Sequence, residues 1–295
     1  GLAFFESLLG FFQVLSQGSL GLYWIGEPRL NLLDPTIAKT IVSGGGRLLR
    51  AYGTFPHPNV LGAFLLMGLI SLFYLNNFQF SIFNFQSIFN NKIFKNWDFG
   101  FICNLFFVIC FFIISLGLIL TFSRSAWLVG LLIFFIYLLQ KKTQLSTVVG
   151  GLITVIIIIV IVGIFHWAVF PKVKIHANEP AIVLREKYLK IGWEILKQKP
   201  LLGVGIGNQV SYAIKNNLYQ KQGVFKKIDF QPVHNIYLLI ADELGIIGLA
   251  LFLLLLISVI YRSIIHNSYF IIPLVALLIL GIMDHFLWDL ADGQI

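Results

Sequence analysis

The chain has 295 residues, 58% of them hydrophobic and 12% charged, with a mean hydropathy of +0.88 and a formal net charge of +8. Soluble domains average roughly 45–50% apolar and about 25% charged, so the composition excludes an ordinary soluble domain and points to an integral membrane protein. Long unbroken apolar runs argue for helices, because a barrel needs alternating segments of about ten residues.

In chain order, Leu2 to Leu22 is a weak span candidate, interrupted by Glu6, Gln13 and Gln17, and reads as a partial or interfacial helix. Leu32 to Pro58 is a polar, glycine-rich loop containing SGGGRLLRAYGTFPHPN, and Pro58 to Leu75 is a span. A Phe/Asn-rich connection, Asn76 to Asp98, follows. Phe99 to Leu139 is 41 residues with one charge, Arg124. One helix of that length would be about 60 Å long, twice the hydrocarbon core, so two spans folded at Thr121–Ser125 are expected. Cys103 and Cys110 lie two helical turns apart, about 10 Å, too far for a disulfide. Thr147 to Phe170 is the next span, Pro171 to Val233 a 63-residue polar loop, and Leu244 to Tyr261 and Tyr269 to Met283 are the last spans.

The expected fold is therefore all-α: a polytopic helical bundle in the membrane, with a large external loop containing an amphipathic helix. Its divisions are N-terminal membrane helices over 1–170, the loop over 171–233 and C-terminal membrane helices over 234–295. Both ends look cut.

Orientation follows from short loops, whose Lys and Arg stay cytoplasmic. Counted alternately, Lys92 with Lys95, Lys141 with Lys142, and Arg262 share one side. The turn at Arg124, the long loop, His234 and the C-terminal DHFLWDLADGQ then face outward. The long loop holds eleven Lys/Arg against four Asp/Glu, +7 of the formal +8. Read alone it would be cytoplasmic, but the rule weakens beyond about 60 residues.

Within the loop, AIVLREKYLKIGWEILKQKP opens on Asn178-Glu179-Pro180 and stops at Pro200, as a helix should. At 100° per residue Leu184, Tyr188, Ile191 and Ile195 fall together, and Leu189, Trp193 and Leu196 widen the arc. Arg185 lies inside that arc. It is either an arginine snorkelling to headgroups or a guanidinium turned inward for an anion. Arg124 is an interface anchor or a partner in the same task. LLGVGIGN, Leu201 to Asn208, fails the dinucleotide pattern, since Asn208 takes the last glycine's place and a helix precedes it. Close backbone packing or an anion loop suits it better.

His234 stands just before an apolar run, with Asp242 and Glu243 about two turns further on. It is a helix-start histidine or a general base, with an acid limb expected near pH 6–7, about the ordinary imidazole value. Asp242 and Glu243 are candidates to orient it, to pair with Arg124 or to mark the interface. No HExxH, CxxC or aspartate cluster occurs, so no metal site is expected, and no GxSxG nucleophile motif is present. Two arginines and a histidine at headgroup depth point to an anionic substrate delivered within the membrane.

GTFPHPN, TFSRSAWLVG, KPLLGVGIGN behind an arginine-bearing helix, and HNIYLLIADELGIIGLALFLLL, in that order, closely resemble the O-antigen ligase and polymerase family of bacterial membrane glycan transferases. The resemblance runs from about Gly53 to Leu256. It implies a multi-pass protein of the bacterial inner (cytoplasmic) membrane. The implied activity is metal-independent, inverting transfer of a glycan from undecaprenyl pyrophosphate to an acceptor hydroxyl on the outer face. It implies Arg124 and Arg185 as substrate-binding residues and His234 as the catalytic one; Asp242 and Glu243, read from their position alone, stay possible orienting groups. No cofactor and no nucleic acid is expected. The partners are the lipid-linked glycan, an acceptor glycolipid or glycan, and membrane lipids. The alternatives are a repeat-unit polymerase of the same family and, in a different class, a transporter or flippase of lipid-linked glycans.

Overall fold

The computed structural model describes residues 1–77, 99–139, 163, 179–266 and 270–288. The expected span Thr147–Phe170 falls almost wholly outside them, as do most of the Phe/Asn-rich connection and the Lys141–Lys142 loop. The described chain is predominantly helical and divides into two compact units, Gly1–Lys174 and Ile175–Ile295.

In the first unit α1 (Leu2–Ser16) packs against α2 (Pro58–Asn77) and α3 (Phe99–Leu120), and α4 (Arg124–Leu139) packs on α2 and α3. The core gathers Val14, Ala51, Leu61, Leu65, Leu118, Phe122 and Ala126. The long apolar run folds back where its length requires. Phe122 takes φ +48°, and the Thr121 hydroxyl donates to Leu118 O at 2.6 Å while Trp127 Nε1 donates to the same carbonyl at 3.1 Å. The glycine-rich loop forms an antiparallel hairpin, β1 (Lys39–Ile41) with β2 (Arg47–Leu49), pairing Thr40 with Leu48.

The polar residues that interrupt α1 are buried and turned onto the loop after β2. Gln13 accepts from Gly53 N at 2.8 Å and Tyr52 N at 3.2 Å, and donates to Gly53 O at 2.9 Å. Glu6 accepts from Thr54 N and its hydroxyl at 2.8 and 2.7 Å. On the same loop, Ala51 N donates to Leu120 O at 2.9 Å, and Arg50 donates from Nε to Thr121 O at 2.6 Å and from Nη2 to Asn59 at 2.7 Å. The loop is thereby tied to the turn preceding Arg124. Glu6 and Gln13 thus occupy the protein-facing side of α1, while Phe5, Phe12 and Leu15 are exposed on it.

The second unit contains α5 (Pro180–Gln198), α6 (Gln209–Lys215), α7 (Leu218–Lys221), α8 (Ile236–Ile265) and α9 (Ile271–Met283). α5, α6 and α9 all pack on α8. On α5, Tyr188, Ile191 and Ile195 are buried with Ala213, Leu218 and Tyr219. Leu189 and Trp193 are 39% and 56% exposed, so the buried stripe is narrower than the arc read from the sequence.

Among the described residues α8 is the one helix long and apolar enough to cross a membrane: 30 residues, with mean hydropathy 2.8 over its best window. It is broken at Gly245 (φ +70°, ψ −176°). The LLGVG loop fills the break. Val204 N donates to Asp242 O at 2.9 Å, Gly205 N to Glu243 O at 2.8 Å, and Ile246 N to Pro200 O at 2.8 Å. A Cβ on Gly203 would collide with the Glu243 backbone, and one on Gly245 with that of Leu201. Close backbone packing is thus what this glycine-rich loop does.

Candidate functional site

The site forms at the N-terminal end of α8. Asn235 caps that helix, its side-chain oxygen accepting from Leu238 N at 2.9 Å. Its amide donates to Ile282 O at 3.1 Å, binding the start of α8 to the end of α9. His234, one residue earlier, is therefore held between α5 on one side and the residues after α9 on the other. Its ring stacks on Tyr188 of α5 (centroids 5.5 Å, 13°) and meets His285 edge-on (4.8 Å, 79°). Tyr188 is pinned in turn, its hydroxyl donating to Asp229 O at 2.7 Å.

His234 Nδ1 lies 3.1 Å from Pro232 O. A carbonyl can only accept, so Nδ1 carries the proton of the neutral ring and Nε2 keeps a lone pair. Burial pushes the imidazole down to about 4. The Asp284 carboxylate opposes this, His285 and Arg185 add to it, and the Pro232 hydrogen bond opposes it. His234 is consequently neutral near pH 7, and the acid limb expected near 6–7 moves lower.

Arg185 is half-buried on α5, and its Nη2 stands 4.0 Å from Asp284 Oδ2. Asp284 Oδ1 also accepts from His285 N at 2.9 Å. Arg185 is thus turned into the site. Asp242 and Glu243, both buried, take other partners. Gln209 donates to Asp242 at 2.7 Å and its oxygen accepts from Val233 N at 3.2 Å, so Asp242 reaches the backbone beside His234 through Gln209. Glu243 accepts from Trp288 Nε1 at 2.8 Å. Arg124 opens α4 in the first unit, half-buried, above the turn that Arg50 and Trp127 hold.

Asp284, His285 and Gln209 are the members that sequence reading missed. DHFLWD was placed on the outward side by span counting, which was the available signal for the first two. Gln209 sits in a stretch without pattern. His234, Asp284 and His285 also offer ligand atoms that all lie within 4.8 Å of one another. No motif revealed this, because fifty residues separate them. A zinc-like ion needs donors about 2.0–2.2 Å from the metal, which calls for a tighter cluster. Here the guanidinium of Arg185 already supplies a cation beside the carboxylate.

Among the described residues, the fold and site define a helical protein with one long membrane-crossing candidate, an inward arginine and a neutral histidine at its mouth. Residues 109–253 match the family model described as O-antigen ligase. The family comprises membrane-associated bacterial proteins of surface-polysaccharide biosynthesis, ligases and polymerases of glycosyltransferase type. The matched stretch holds Arg124, Arg185, His234, Asp242 and Glu243, whereas Asp284 and His285 lie beyond it. No curated protein and no solved structure gives a match.

Proposed function

We propose that this chain transfers a glycan from a lipid-linked pyrophosphate, undecaprenyl pyrophosphate in bacteria, to an acceptor hydroxyl at the outer face of the inner membrane. The acceptor is a glycolipid or glycan, as for a ligase. The protein crosses that membrane several times, with the loop between 171 and 233 outside.

His234 Nε2 takes the proton of the acceptor hydroxyl as its oxygen attacks the anomeric carbon. The bond from that carbon to the phosphate oxygen breaks on the opposite face, inverting the centre. Arg185 takes up the charge of the departing pyrophosphate, and Arg124 is assigned to substrate binding as a separate proposal. Asp284 holds Arg185 in place before the donor arrives and orients the pair with His234. Fixed donors of this kind commonly contribute about 3–4 kcal/mol each to the barrier. The observation that carries this reading is the convergence of Arg185, Asp284 and His285 on the neutral imidazole of His234.

The test is complementation of a strain lacking the protein, with long-chain attachment read on a glycan gel. Arg185→Ala and Arg124→Ala should abolish attachment and the Lys variants restore it poorly, because a planar fork grips phosphate as an ammonium cannot. Full attachment by both Lys variants would reduce the arginines to generic charge. Shortened chains that remain attached would make the protein a polymerase.

A further inference from the structure

The loop joining α5 to α6 carries large apolar side chains that the transfer reaction does not use. Leu201, Leu202 and Ile206 are 63%, 76% and 68% exposed. Their backbone is not loose. Gly203 N donates to Lys199 O at 3.1 Å, Val204 and Gly205 donate to the carbonyls freed by the break in α8, and Pro200 O accepts from Ile246 N. Backbone groups in contact with lipid must be satisfied within the protein, and re-entrant segments meet that demand by borrowing from broken helices. A loop in water has no such need.

The depth of this loop is fixed by the same bonds. Leu201 and Leu202 lie against Gly245. From Ile246 to Ile265, α8 has 20 residues, about 30 Å, the thickness of the hydrocarbon core. Ile246, Ile247, Leu251, Leu254 and Leu255 are exposed along it. Before Gly245 the helix is buried in protein and carries Asp242 and Glu243. The edge of the lipid therefore falls at Gly245, where the loop tip stands. Lys197 and Lys199, exposed just before the loop, can reach headgroups from that level.

We infer that Leu201, Leu202 and Ile206 insert among the phospholipid acyl chains of the leaflet on the His234 side, forming a short re-entrant anchor continuous with the lipid face of α8. The anchor holds the α5–α8 junction, and with it the site, at the membrane surface. The inference rests on α8 crossing the bilayer and not on glycan transfer.

The experiment reconstitutes the chain in phosphatidylethanolamine–phosphatidylglycerol nanodiscs. An environment-sensitive fluorophore is placed on Leu202→Cys, with Lys221→Cys as the aqueous control, in a Cys103→Ala/Cys110→Ala background. Acyl-brominated phospholipid should quench the label at 202 several-fold more than at 221, and aqueous iodide should do the reverse. In parallel, a diazirine-acyl phospholipid should crosslink to residues 200–206 of the unsubstituted chain, which removes dependence on the label. Iodide quenching at 202 equal to that at 221, or no crosslink to 200–206 while α8 is labelled, would overturn the anchor and leave the transfer reading untouched.

Discussion

His234 illustrates how position sets chemistry. An ordinary histidine would be partly protonated near neutral pH. Here burial is the largest influence on the ring and holds it down to about 4, with Nε2 left to accept. Between about 6.5 and about 4 the unfolded chain binds more protons at this position than the folded one. Its neutral burial is therefore compatible with full stability above about 6.5, and acid erodes that stability through this window. Transfer should keep its base form to lower pH than a solvent-exposed histidine allows, and a pH–rate profile checks it. An acid limb at 6–7 would mean that the ring is solvated during turnover. Asp284 opposes the downward shift while His285 and Arg185 reinforce it. Asp284→Asn should thus lower the His234 pKa further, and replacing Arg185 by Gln should raise it, both readable by NMR of ring-labelled histidine. Arg185 and His234 could be singled out in the sequence because few side chains offer a planar cation or titrate near neutral pH. Asp284 and His285 were not, since tertiary packing of α9 on α8 creates their proximity.

At the scale of elements the decisive feature is the break in α8. A hydropathy reading places a span from Leu244 to Tyr261, and the helix instead runs from Ile236 to Ile265 with a discontinuity at Gly245. Periodicity cannot reveal a helix segment that precedes the lipid and is buried against protein. The fold-back at Thr121–Ser123 was legible for the opposite reason: a 41-residue apolar run cannot cross a bilayer once. Gly245→Ala should destabilise the second unit by at least about 1–3 kcal/mol, the usual cost of a non-glycine residue in a glycine-only conformation. The clash with Leu201 adds to that. A lowered thermal midpoint in detergent, with faster proteolysis between α5 and α6, would show it. An unchanged midpoint would mean that the loop does not fill the break. In α1, Gln13→Leu should also lower the midpoint, because it leaves the buried Gly53 N–H and C=O without their partner at about 1–3 kcal/mol per group.

For the whole molecule, the proposed reaction has its proton transfer and the hold of Arg185 on the anion in the second unit, while Arg124, a proposed substrate-binding residue, belongs to the first. Composition made the membrane character legible, and motif order made the family legible before any geometry. Because guanidinium groups supply the positive charge, transfer should survive a chelator. Loss of activity in chelator, with recovery on adding a divalent ion, would instead assign the pyrophosphate to a metal held by His234, Asp284 and His285. The most direct measurement separates donor binding from turnover in purified His234→Ala protein, using undecaprenyl-pyrophosphate glycan and an acceptor. Since a general base contributes roughly 10²–10⁴-fold to rate, turnover should fall by that factor while donor affinity stays within a few fold, the arginines being intact. Binding lost together with turnover would show that His234 holds the donor, and the assignment of the base would be contradicted.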